Sequence, residues 1–126
     1  MEVEKNTVAG GSLHISTDVI AKITRLAALE VDGVQDVSAV APTVRNLLSK
    51  GKKTIEARKP VAVQMQDGVA EIEVNVLVTY GMRIPAMCVR IQENVKSAVQ
   101  NMTGITVSRV NVVVRGVIVP QPDEAE

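Results

Sequence analysis

The side chains best suited to chemistry in this 126-residue chain are one histidine, one cysteine and a few closely spaced carboxylates. Zinc needs four nitrogen or sulfur ligands in a structural site and usually three protein ligands in a catalytic one. His14 and Cys88 supply one ligand of each kind, so no metal or other cofactor is expected. His14 stands two residues before Ser16, but a serine nucleophile needs a base oriented by a third group, and no G-x-S-x-G turn is present. Ser16 reads instead as a helix cap, and His14 as an exposed or structural residue. Cys88 falls on the apolar side of a helical pattern, where a free thiol acts as a small hydrophobe with no neighbouring group to activate it. Glu71 and Glu73 share a strand face, which is how a carboxylate pair could be presented for proton transfer; a solvated sheet face is the plainer reading. Glu30 projects into an apolar helical stripe near a helix end, where it is expected to bond backbone groups of the following turn.

Ligand-binding signatures are equally sparse. Neither G-x-x-x-x-G-K nor G-x-G-x-x-G occurs, so no phosphate loop is expected. The G-x-x-G of a KH-type module is missing, and Tyr80 is the only aromatic, which leaves nothing for bases to stack on; nucleic-acid binding stays a minor alternative. No small-molecule substrate and no enzymatic activity are expected. Charge is concentrated in one place: Arg45, Lys50, Lys52, Lys53, Arg58 and Lys59, interrupted only by Glu56. These six cations are the candidate partner-binding residues, and a solvated loop is the competing reading.

The elements that position these residues follow from pattern. A 46% hydrophobic, 22% charged chain of this length is one globular domain, with a core built from Val, Ile, Leu, Met and Ala in the near absence of aromatics. Formal net charge is zero, so no whole-molecule field attracts polyanions. A lone cysteine fits a reducing compartment. No run of eighteen apolar residues occurs and the start MEVEKNTVAGGS lacks a signal-peptide pattern, so a cytoplasmic location is expected, with membrane contact only through a partner. Residues 1–12 read as a flexible polar tail, 13–119 as a single domain and 120–126 as an acidic tail.

Ser16 caps a helix that Gly33 stops, with Val19, Ile23, Leu26 and Ala27 as its core stripe and Ile20 and Val31 at the edge. Val34 to Val37 is a short strand, and Thr43 to Ser49 a short helix. Asp67-Gly68 joins two alternating runs as a hairpin, with Ile72, Val74, Val76, Val78 and Tyr80 facing inward and Glu71, Glu73, Asn75 and Thr79 facing water. Pro85 opens a second helix whose apolar face is Cys88, Ile91, Val95, Ala98, Val99 and Met102, and Gly104 ends it. Val-rich Thr106 to Val119 is the last strand. The expected architecture is α+β and two-layered, with two amphipathic helices packed on one face of a largely antiparallel sheet.

Two stretches, GSLHISTDVIAKITRLAALEVDGVQDVS and VLVTYGMRIPAMCVRIQENVKSAVQNMTGITVSRVNVVVRGV, resemble the alkaline shock protein family of bacterial envelope stress proteins. The segments AALEVDGV, VTYGMRIP, NMTGITV and VNVVVRGV carry most of the likeness, which runs from Gly11 to Val117. Val113 departs from it, standing where a histidine is often expected. The resemblance implies a cytoplasmic, non-catalytic protein of Gram-positive bacteria that supports the cell envelope as a structural or scaffolding element. It also implies that a separate anchor protein can hold the chain at the membrane. A homo-oligomer is expected from the Val-rich run Asn111 to Val119, which offers backbone groups and apolar side chains to a second copy if it lies at a sheet edge, with Pro120 as the one local guard. Some relatives imply a second role, regulating fatty-acid synthesis by binding acetyl-CoA carboxylase, a lipid-synthesis enzyme. The family motifs are glycine turns and apolar strand residues, so no active-site residue carries over.

Overall fold

The computed structural model describes residues 3–8, 11–39 and 59–119. Strands β1 (Val3–Val8) and β2 (Gly11–Ser16) pair antiparallel as a two-stranded sheet of their own. The stretch read as a tail up to Ser12 therefore carries one strand and the start of a second. Chain direction then turns into helix α1 (Thr17–Leu29), whose N-cap is Ser16: its side chain accepts from the Val19 N–H at 3.4 Å, and Asp18 sits in the first turn. Strand β3 (Val34–Val37) follows, then β4 (Val61–Gln66) and β5 (Val69–Thr79). The β4–β5 turn is Asp67-Gly68, with φ of 56° and 78°; positive φ at both positions is what a type I′ two-residue hairpin requires. Helix α2 (Ile84–Thr103) and strand β6 (Thr106–Ile118) complete the chain. Arg83 is the α2 N-cap, so Pro85 lies one position inside the first turn, and Gly104 caps the far end in the left-handed conformation.

β5 is the axis of the larger sheet. β6 pairs with it in parallel from Val69 to Thr79, so β4 and β3, both antiparallel, must share the opposite edge end to end. The parallel pairing was not foreseen from the sequence. It follows from α2, which carries the chain back along the sheet before β6 begins, as crossover connections do. Single extra residues interrupt the β5–β6 register at Ser108 and Arg115.

Both helices cover the face bearing Ile72, Val74, Val76 and Val78, each fully buried. The stripes they present differ from the expected ones. On α1 the buried residues are Ile20, Ile23, Thr24, Ala27 and Ala28, while Val19 and Leu26 are exposed. On α2 they are Met87, Ile91, Val95, Val99 and Thr103; Cys88 and Ala98 are half-buried and Met102 is exposed. Small side chains on α1 bring its backbone close to α2, where Asn94 Nδ2 donates to the Ala27 carbonyl at 2.7 Å. Tyr80 stands outside the core, 66% exposed, just beyond β5.

The far face of the sheet is only partly wet. Glu71, Glu73 and Thr79 are half-buried there, but Asn75 and Leu77 are buried. Asn75 Nδ2 donates to the carbonyls of Lys59 and Pro60 at 3.3 and 3.2 Å, and its Oδ1 accepts from Arg115 Nε at 2.8 Å, so its amide ties the entry of β4 to the second bulge of β6. Leu77 fits because its partner on β6 is Gly116: a Cβ there would lie 3.2 Å from Leu77 Cδ2.

Gly33, with φ of 98°, makes the turn from α1 to β3, and its carbonyl accepts from the Thr79 N–H at 2.8 Å. An added Cβ would stand 2.7 Å from Met87 Cε and 2.8 Å from Met82 Cε. Gly33→Ala is expected to lower stability by about 1–3 kcal/mol, mostly from the left-handed backbone, as read by urea denaturation. A midpoint equal to that of the unaltered protein would contradict this account.

Candidate functional site

The residues singled out for chemistry do not converge. His14 is exposed on β2, with Nε2 3.2 Å from Ser12 Oγ, while Ser16 is engaged as the α1 cap. Cys88 is a free thiol on the flank of α2, and burial pushes its pKa above the ordinary value. Glu71 Oε2 lies 3.8 Å from Arg109 Nη1 across the far face, with both side chains largely open to solvent, an ion pair of little energetic weight. Glu30 is exposed and accepts from Asn94 Nδ2 at 3.2 Å, so its partner is a side chain of the other helix rather than the backbone of the next turn. Among the described residues, no three His, Cys, Asp or Glu side chains gather as a metal site would need. No described helix is long and apolar enough to cross a membrane.

Of the candidate partner-binding residues, Arg45, Lys50, Lys52, Lys53 and Arg58 lie outside the described residues. Lys59 is described. It is exposed at the entry to β4 and lines a groove of about 380 Å³ between α1 and β4, together with Lys22, Arg25, Asp18, Ala21, Val61 and Val63. Arg25 Nη2 is also 3.6 Å from Asp36 Oδ1.

What the fold leaves open is backbone rather than side chain. In the larger sheet β6 forms one outer edge and β4, end to end with β3, the other, and the two edges are treated differently. At the start of β6, α2 side chains occupy groups that a further strand would use: Gln100 Oε1 accepts from the Val107 N–H at 3.0 Å, and Gln92 Nε2 donates to the Val110 carbonyl at 3.1 Å. No comparable cap covers β6 from Asn111 onward among the described residues, and the apolar side chains of Val117 and Val119 are 47% and 63% exposed. An unpaired, Val-rich edge of this kind is a template for strand addition. The two glutamines were missed in the sequence. Their signal was present only as polar residues on α2, and nothing there indicates that they reach a strand edge.

The family's sequence model matches residues 5–119. The chain belongs to the alkaline shock protein 23 family. Its function is cell envelope-related. The resemblance drawn from AALEVDGV, VTYGMRIP, NMTGITV and VNVVVRGV is thereby borne out. Among relatives in this family, YqhY of Bacillus subtilis is 31% identical over 107 residues, covering 85% of this chain and 77% of its own. Spy1535 of Streptococcus pyogenes serotype M6 is 30% identical over 117 residues, covering 90% and 86%. YloU of Bacillus subtilis is 27% identical over 122 residues, covering 97% and 100%. All three are described as uncharacterized. Among solved structures, a copper form of the MamM CTD aligns at 13% identity and a TM-score of 0.48, covering 80% of this chain and 98% of that one. A likeness at that level carries no functional argument.

A raised Cys88 pKa leaves less thiolate at neutral pH, which slows attack on electrophiles. Alkylation of the native protein by iodoacetamide at about pH 7.5 is expected to run severalfold slower than that of glutathione, and to recover in urea. A native rate faster than glutathione's would point to an activated thiol.

Proposed function

We propose that this chain is a non-catalytic scaffolding protein of the cell-envelope stress response, working through self-association and protein partners. The carrying observation is the second half of β6, which no cap covers among the described residues. Gln100 and Gln92 cap the Val107 and Val110 groups, whereas the strand from Asn111 to Ile118 ends in exposed apolar side chains. Two copies meeting along this segment about a two-fold axis would extend the sheet through both molecules, using the same surface on each. The cell envelope-related function of the family gives such an assembly its setting. The dispersed His14, Cys88, Glu71 and Glu30 side chains offer no constellation on which to build a catalytic alternative.

Light scattering at micromolar concentration is expected to show a mass above that of the monomer. Val117→Lys combined with Val119→Lys places two charges on the free edge at exposed positions and is expected to return the protein to monomer with its circular dichroism intact. A monomeric native protein, or a double variant that assembles as before, would refute the reading.

The basic stretch from Arg45 to Lys59 is proposed as a second contact, with acidic protein or anionic headgroups. Reversing Lys50, Lys52 and Lys53 to Glu is expected to weaken co-sedimentation with anionic liposomes strongly at low salt, since each cation near such a surface contributes about 1 kcal/mol. Physiological salt narrows the difference by screening beyond about 8 Å. Equal sedimentation of a folded triple variant at both salt concentrations assigns the stretch to solvent.

A further inference from the structure

The edge opposite β6 belongs to β4, and its backbone groups can be sorted one by one. The Pro60 carbonyl accepts from the Asn75 N–H at 2.9 Å, and Gln66 and Val69 flank the two-residue turn, so the even-numbered residues of β4 direct their hydrogen-bonding groups at β5. The N–H and C=O groups of Val61, Val63 and Met65 consequently point away from the sheet. None of these groups has a hydrogen-bond partner among the described residues, in contrast to the glutamine-capped groups of β6. The sequence of β4 itself, VAVQMQ, contains neither the charges nor the proline that commonly guard an edge.

Beside this edge runs the groove under α1. Its small or apolar lining of Ala21, Val61 and Val63 leaves room for every second side chain of an added strand, which is the spacing that an extended segment presents. Its charged lining is Lys22, Arg25 and Lys59 against Asp18, with Arg25 shared with Asp36. In a chain with no net charge, the balance at this edge is positive.

We infer that the outer edge of β4, with the groove beside α1, takes an extended acidic peptide segment of a partner protein as an added strand. This rests on the reading of the chain as one that works through protein partners, and it names both the surface and the chemistry of the partner. Backbone bonds to Val61, Val63 and Met65 supply the register, and Lys22, Arg25 and Lys59 select carboxylates over amines.

The test uses the full chain and a fluorescein-labelled heptapeptide of alternating Glu and Val, with its Lys–Val counterpart as control. Anisotropy at low salt is expected to show the acidic peptide binding at least about tenfold more tightly than the basic one, with the preference falling as salt rises. Amide exchange followed by NMR is expected to slow at Val61, Val63 and Met65 and to stay unchanged at Ala62, Gln64 and Gln66. Lys22→Glu with Lys59→Glu, both at exposed positions, should cut the affinity at least about tenfold. Absence of binding, equal binding of the basic peptide, or protection confined to β6 would overturn the inference. So would concentration-dependent protection of the β4 amides without peptide, since the occupant would then be a second copy. Because the readout is on β4, its failure leaves assembly through β6 standing, and a monomeric protein leaves peptide capture by β4 standing.

Discussion

Along β5 the hydrogen-bonding groups of both edges are taken up by neighbouring strands, and Ile72, Val74, Val76 and Val78 are fully buried beneath the helices. A backbone bond in such an interior adds only about 0.5–1.5 kcal/mol net, but leaving one unmade there is far more costly. β3, β4 and β6 are therefore all obliged to keep register with this strand. The helices are in turn fixed by the valine and isoleucine ridge it presents. With no Phe or Trp in the chain and Tyr80 outside the core, no large side chain spans the layers, and cohesion is spread over many β-branched contacts. The Asn75 amide extends the same control to the far face by binding the chain entering β4 and the bulge of β6 at once.

Saturating the central strand leaves the unused backbone capacity of the larger sheet at its two outer sides. The molecule does not treat them alike. Helix α2 reaches over the start of β6 with two glutamines and leaves its end open, whereas α1 stands beside β4 without capping it and contributes cations instead. This asymmetry, more than any side-chain constellation, gives a family member with a cell envelope-related function two distinct surfaces on one small sheet.

Much of this was legible in the sequence because it depends on local chemistry. The Asp67-Gly68 turn, the Ser16 cap and the Gly104 stop each require particular residues within a few positions of one another, and all stand where the pattern put them. What escaped depends on partners far away in the chain. Val19, Leu26 and Met102 fall on the expected stripes and are large and apolar, yet α1 buries the smaller Thr24, Ala27 and Ala28 beside Ile20 and Ile23, with the Ala27 carbonyl held by Asn94 of α2. Asn75 looked solvent-facing because alternation says nothing of the carbonyls waiting at residues 59 and 60. The direction of β6, and with it the existence of two unequal edges, follows from a crossover that periodicity does not reveal.

The two bulges of β6 act on its sequence like a pair of frameshifts that cancel. Val107 faces the helices, the extra residue Ser108 switches the parity so that Val110, Val112 and Val114 face them, and the extra residue Arg115 switches it back for Val117. One unbroken alternation thus holds only from Arg109 to Val114, in the middle of the strand. Deleting either extra residue alone would restore regular alternation at that point with every valine still on the side it now faces, so each bulge lengthens the strand by one residue without turning a side chain over.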